Sequence, residues 1–174
     1  MATTATQKHS KARSGRTRRT GRRDPLAISL LKKDHREVEA MFDEYEQLEA
    51  ADEKLALFGK IALALKVHTQ IEEEIFYPEE RGDVEDDMLD EAYVEHDGAK
   101  KLIAEIEEMQ PGDEFYDAKV KVLGEYIKHH VKEEEQPGGV FAQAKKGDED
   151  LEAMGERLKE RKAELTKSLE AHLN

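Results

Sequence analysis

The sequence has no cysteine. Disulfides, thiolate metal sites and cysteine nucleophiles are therefore excluded, and any bound metal must be held by imidazole and carboxylate. It also lacks an apolar run approaching the roughly 18 residues of a membrane span, so a soluble, cytoplasmic chain is expected. The N-terminus is basic but has no apolar stretch behind it, so no secretory signal is visible. No segment alternates with period two, which predicts an absence of strands. A glycine-rich phosphate loop and an H-E-x-x-H zinc motif are missing too, which argues against a metalloprotease of that type. The Glu-x-x-His pairing of ferritin-like di-iron bundles would need a glutamate three residues before a histidine. Lys32, Leu65, Tyr93, Ile127 and Tyr126 hold those positions instead.

The 174 residues show no internal repeat and suit one domain with a single core. A net charge of −13 conceals an asymmetry. Residues 1–23 carry Lys8, Lys11, Arg13, Arg16, Arg18, Arg19, Arg22 and Arg23 and no acid, so the remainder is strongly acidic. With little to bury, that segment is expected to be a disordered basic tail. Three readings fit it: a solvated leader, an arm that binds nucleic-acid phosphates, or an organelle transit peptide.

Residues 24–137 read as a bundle. Asp24-Pro25 is a helix-start signal, and Ile28, Leu31, His35, Val38, Phe42 and Tyr45 recur at helical spacing to about Glu49. A second helix starts near Asp52 and is expected to stop before Pro78. A third covers roughly 84–109. The fourth begins with Asp113 as its cap, carries Phe115, and ends at Pro137-Gly138-Gly139. Residues 138–174 give a linker and an amphipathic helix with Leu151, Met154, Leu158, Leu165 and Leu169. The fold class is thus all-α: an antiparallel up-down-up-down four-helix bundle with an additional C-terminal helix. The last helix either lies along the bundle or joins two chains. Gly59, Gly98 and Gly124 fall inside helices, where they permit close helix approach at a cost of about 1 kcal/mol each.

His35, His68, His96 and His130 fall one per helix, each on the apolar stripe. Glu72 follows His68 by four residues, and Glu134 follows His130 likewise, so each pair shares a helix face. Counted along antiparallel helices at about 1.5 Å per residue, the four histidines reach one layer. A buried carboxylate costs several kcal/mol unless it is neutralised, and a cation would do so. Imidazole with carboxylate suits iron, manganese or zinc, and two glutamates able to bridge favour a dinuclear iron site over a four-ligand structural zinc. The alternative is a metal-free bundle with core histidines.

The segments Asp34-His35-Arg36-Glu37-Val38, His68 through Pro78, Glu95-His96 and His129 through Glu135 occur in an order and spacing that resembles the hemerythrin HHE cation-binding domain. The resemblance spans about residues 26–137. It implies a four-helix bundle with two non-haem iron ions (Fe2+/Fe3+) joined by carboxylates and an oxo or hydroxo bridge, with manganese or zinc as lesser candidates. The metal ligands it implies are His35, His68, Glu72, His96, His130 and Glu134, with Glu72 and Glu134 as bridges; it implies no catalytic residue. Oxygen-carrying hemerythrins have His-x-x-x-His on the third helix, where this chain has Lys100, so one iron lacks a histidine and reversible oxygen carriage is placed in question. The acid on the fourth helix also stands four residues after its histidine, not five.

Four further residues are candidates for an additional ligand or for contact with a ligand. Glu39 either fills the open position or is a surface acid. Tyr93 packs near the metal or is a core tyrosine. Lys100 binds an anion or points outward, and His129 lies on a flank. Glu73, Glu74, Glu133 and Glu135 read as solvated face. The expected function is that of a di-iron protein binding or reacting with a small oxidant (O2, H2O2 or NO) in sensing, iron handling or oxidative-stress defence. The alternative is an iron-binding interaction protein whose residues 1–23 dock on nucleic acid or another anionic partner.

Overall fold

Apolar residues at three- and four-residue steps build five long helices and two short ones in the computed structural model, which describes residues 23–173. In chain order they are α1 (Leu26–Tyr45), α2 (Ala51–Ile71), a π-helical turn (Glu72–Phe76), α3 (Tyr77–Glu80), α4 (Asp86–Glu107), α5 (Tyr116–Glu135), α6 (Val140–Ala144) and α7 (Leu151–Leu173). No β-strand forms among the described residues. Helices α1, α2, α4 and α5 make the bundle, and α7 lies along it against α1 and α2. Residues 1–22 of the basic tail lie outside the described residues.

Three helix boundaries differ from those read in the sequence, each for a local reason. Asp24 does not cap α1. Its carboxylate is drawn to Lys32 at 2.8 Å and Lys145 at 2.9 Å, and Pro25 takes the position before the helix. Asp113 closes the preceding turn by accepting from the Gln110 N–H at 2.8 Å; Phe115 follows with φ 70° and an exposed side chain, and α5 starts at Tyr116. The second helix does not stop at Pro78. It loosens into the π turn, in which the Tyr77 N–H bonds the Glu72 carbonyl five residues back, and then runs on to Glu80. Pro78 supplies no N–H, and the Tyr93 hydroxyl reaches the Glu73 carbonyl at 3.4 Å.

The core is in two parts. One contains Ile28, Leu31, Ile71, Phe76, Leu89, Phe141, Met154 and Leu158. The other contains Val38, Phe42, Phe58, Ile61, Leu65, Ile103, Leu123 and Ile127. On α1, α2 and α4 the histidine lies between residues of the two parts, and on α5 His130 stands where the second part ends, so a polar layer divides the apolar interior. Within the long helices, glycine stands against a close neighbour at two places. A Cβ at Gly124 would stand 3.2 Å from the Phe42 ring, and one at Gly155 would stand 2.6 Å from the Ala27 nitrogen. Gly59 and Gly98 have nothing within 4 Å of such an atom, so they serve no close packing.

The apolar stripe of α7 is used within the chain, since Leu151, Met154, Leu158 and Leu165 are all buried. Truncating one of them should therefore weaken the monomer. Leu158→Ala is expected to cost about 2–5 kcal/mol, read as a lower denaturant midpoint that does not depend on protein concentration.

Candidate metal centre

The layer between the two core parts holds six side chains that are almost wholly inaccessible: His35, His68, Glu72, His96, His130 and Glu134 are each at most 5% exposed. Helix α1 delivers His35, α2 delivers His68, α4 delivers His96 and α5 delivers His130 and Glu134. The π turn starts with Glu72. The sequence-derived set is thus brought together completely.

Within the layer the histidines form two pairs. The Nε2 atoms of His35 and His68 are 3.1 Å apart, and those of His96 and His130 are 3.3 Å apart. Each glutamate touches both pairs. Glu72 Oε2 lies 3.2 Å from His68 Nε2 and 3.4 Å from His96 Nε2. Glu134 Oε2 lies 3.3 Å from His35 Nε2 and 3.6 Å from His130 Nε2. Two compact ligand groups result, His35/His68/His130/Glu134 and Glu72/His96/His130, with donor atoms in each within 4.8 Å of one another.

The outer ring nitrogens are held by a second set of acids. His35 Nδ1 bonds Glu135 at 2.8 Å, His96 Nδ1 bonds Glu73 at 3.0 Å, and His130 Nδ1 bonds Glu95 at 2.8 Å. His68 Nδ1 faces Asp34 Oδ2 at 3.5 Å. An ionised carboxylate can only accept, so the bonded Nδ1 atoms must donate. In a neutral imidazole the Nε2 lone pair then points into the layer. Paired nitrogens would meet lone pair to lone pair, beside two carboxylates, with nothing to attract them except a proton or a metal ion. Glu72 Oε1 and Glu134 Oε2 have no hydrogen-bond partner. This donor set fits a metal, and the carboxylate behind a metal-binding histidine is the usual means of fixing its tautomer and aim.

Without a metal, the surroundings of two of these histidines favour their protonated forms. Burial disfavours charge on His35, but the carboxylates of Glu134 and Glu135 beside its two ring nitrogens outweigh it and raise the pKa to about 10. His96 likewise rises to about 9, through Glu72 and Glu73. Burial favours the neutral form of Glu134, yet His130, His35 and His68 overcome it and lower its pKa. Tyr77, fully buried, donates to Glu134 Oε1 at 2.9 Å and lies 3.3 Å from both Glu72 Oε2 and His96 Nε2. Burial, then the two carboxylates, push its hydroxyl well above the ordinary value, so it remains a donor.

The four additional candidates stand outside the layer. Glu39 pairs with Arg36. Tyr93 packs edge-on against Tyr77, with ring centroids 5.4 Å apart. Lys100 binds both oxygens of Glu73 at 2.6 Å, so it reaches His96 only through that acid. His129 is 60% exposed, between Glu95 and Glu133. The reading of Glu73 and Glu135 as solvated face is corrected: both turn inward far enough to hold a histidine ring. Asp34, Glu95 and Tyr77 were also not singled out. The signal for the acids is their adjacency to a layer residue, since Asp34, Glu73, Glu95 and Glu135 each neighbour one in sequence. Tyr77 gave no comparable signal, because the π turn sets its direction.

Fold and site together define a helical-bundle protein with a buried His/Glu cation cluster. The chain belongs to the family of the hemerythrin HHE cation binding domain, whose model matches residues 26–137, from the first residue of α1 to just beyond α5. It is similar to the crystal structure of a hemerythrin HHE cation binding domain-containing protein from Mycobacterium kansasii, with a TM-score of 0.69 and 21% identity over 82% of this chain and 88% of that one. At that identity the likeness speaks for the fold. A curated relative, a DNA nickase from Nostoc sp., is 27% identical over 119 residues, which is 68% of this chain and 34% of the relative. The chain thus spans about a third of that protein's length. Among the described residues no helix is long and apolar enough to cross a membrane.

The raised values of His35 and His96 mean that the folded, metal-free chain holds protons more tightly than the unfolded one does. The stability they contribute is complete below the unfolded pKa of 6.5 and drains as the pH rises through about 9 and about 10. The urea midpoint of metal-free protein is expected to be lower at pH 10 than at pH 6. An unchanged midpoint would mean that the layer is not protonated.

Proposed function

We propose that the chain is a non-haem di-iron protein that binds or reacts with a small oxidant: dioxygen, hydrogen peroxide or nitric oxide. The observation that carries this reading is that each of two buried glutamates contacts one histidine from each of two pairs. That arrangement suits two metal ions sharing two carboxylates. His35 and His68 with Glu134 would hold one, His96 and His130 with Glu72 the other, and Glu72 and Glu134 would bridge. Imidazole and carboxylate without thiolate favour iron, with manganese or zinc as alternatives. When bound, two ferrous ions supply the electrons that a small oxidant takes up.

The chain's own groups prepare the site for this. The outer acids hold the imidazoles so that Nε2 faces inward, and Tyr77 anchors Glu134 while lying close to Glu72. Phe141 stacks on His35 with ring planes 12° apart, and Phe76 meets Phe141 edge-on, closing that side to water. On the opposite side a cavity of about 10 Å³ lies beside the rings, flanked by Val38, Leu65, Ile127 and Val131. It holds at most a water-sized molecule. On this side of the layer, that size favours sensing, sequestration or removal of a small oxidant over turnover of an organic substrate.

A second reading has one specific support: the relative called a DNA nickase, set beside the basic residues 1–23. In it the bundle handles iron and the tail docks on nucleic acid. It requires DNA binding that weakens steeply with salt and is lost when residues 1–23 are removed; binding that survives the truncation would sink it.

The direct test of the first reading is elemental analysis of protein from iron-supplemented cells, paired with anaerobic and aerobic optical spectra. About two irons per chain are expected, with a near-ultraviolet band appearing on exposure to air. No iron, or a single zinc, would overturn it. Tyr77→Phe is expected to keep the metal stoichiometry but to weaken affinity by about 10–100-fold, as loss of a group that orients a ligand does, measured by competition with a chelator.

A further inference from the structure

The four outer acids are arranged as a closed ring, and one of its corners differs from the rest. Asp34 of α1 faces His68 of α2, and Glu73 behind α2 holds His96 of α4. Glu95 of α4 holds His130 of α5, and Glu135 at the end of α5 holds His35 of α1. At three corners the acid also carries a fixed cation on its outer side: Lys162 on Asp34, Lys100 on Glu73, and Arg36 on Glu135. Each of these would repel an approaching metal ion.

At the fourth corner no lysine or arginine among the described residues pairs with Glu95 or Glu133. The partner of both is instead His129, whose Nε2 is 3.4 Å from Glu95 Oε1 and 3.1 Å from Glu133 Oε1. One ligand atom from each lies within 4.8 Å of the others. An exposed His–Glu pair one turn apart is common, and alone it would be a surface ion pair. Here two of the three side chains, Glu95 and Glu133, border a cavity of about 120 Å³ that also meets Glu91 near the surface and His130 and Glu134 beneath, while His129 stands beside it on the far side of Glu95. Glu134 is 1% exposed and its Oε2 has no hydrogen-bond partner. Glu95 joins the two levels, with one oxygen toward His129 and the other on His130 Nδ1 at 2.8 Å.

We propose that Glu95, His129 and Glu133 form an outer docking site for a divalent first-row metal ion, and that metal reaches the buried layer through this corner. The inference rests on the reading of that layer as a metal centre. One imidazole and two carboxylates suit a borderline cation. The site is half open and leaves positions for water, so it would hold the ion weakly and release it inward, toward a layer with more donors and no competing solvent.

The test uses the full, metal-free chain and cobalt(II) alone. Filling is followed anaerobically by stopped-flow through the visible ligand-field absorption, and the end point by metal analysis. The doubly substituted His129→Gln/Glu133→Gln chain is expected to reach the wild-type stoichiometry about tenfold more slowly, as loss of electrostatic focusing at a cleft predicts. Glu133→Lys should fill more slowly than Glu133→Gln. Glu37→Gln, which removes an exposed acid paired with Lys33, should fill at the wild-type rate. Equal rates in wild type and the double variant would overturn the docking site. So would a lower end point in the double variant, because His129 and Glu133 would then belong to the final ligand set. If the wild-type chain takes up no cobalt at all, the metal-centre reading itself falls, and the docking site with it.

Discussion

Six polar side chains placed in one layer of an otherwise apolar bundle are the constraint on which the rest of this structure depends. Two are carboxylates without access to water, and isolated charges of that kind are among the most costly groups to bury. The histidines offset that cost, and the outer acids in turn keep the histidines aimed. Each outer acid is then tied down by a surface cation at three places and by His129 at the fourth. The polar layer is therefore the centre of a network that runs from the bundle axis to its surface.

The layer also explains why the apolar core is divided. Leu31 and Val38 on α1, and Leu65 and Ile71 on α2, lie on opposite sides of it. Each part must hold the helices in register for the layer to close, since side chains four residues apart along a helix differ by a full turn in height. The seal on α1 and α2 by α7, with Gly155 against the start of α1, fixes one end of the bundle; the contact of Gly124 with Phe42 does the same toward the other.

Much of this was legible in the sequence because helices state their period openly. His35, His68, His96 and His130 stand on apolar stripes, and Glu72 and Glu134 follow at one turn, so the buried set could be read from spacing alone. What spacing could not reveal were contacts made across helices. Glu73 and Glu135 look like solvent-facing acids from their own helices, and their role appears only when a histidine arrives from another. The π turn was equally hidden. It carries the helix through Pro78, where a proline ordinarily marks a stop, and thereby turns Tyr77 into the layer. Asp24 and Asp113 carry strong cap signals, but two lysines and a tight turn claim their carboxylates first.

The ring of outer acids has a direction. Each acid serves the histidine of the next helix around the bundle, although its own neighbour in sequence belongs to the same layer. A substitution at one position is thus felt on a different helix: loss of Glu73 loosens His96, loss of Glu95 loosens His130, and loss of Glu135 loosens His35. Substitutions at these positions of the chain are accordingly coupled around a circle rather than along a line, and a foreign helix placed in the bundle would have to be matched to the helices on both sides of it.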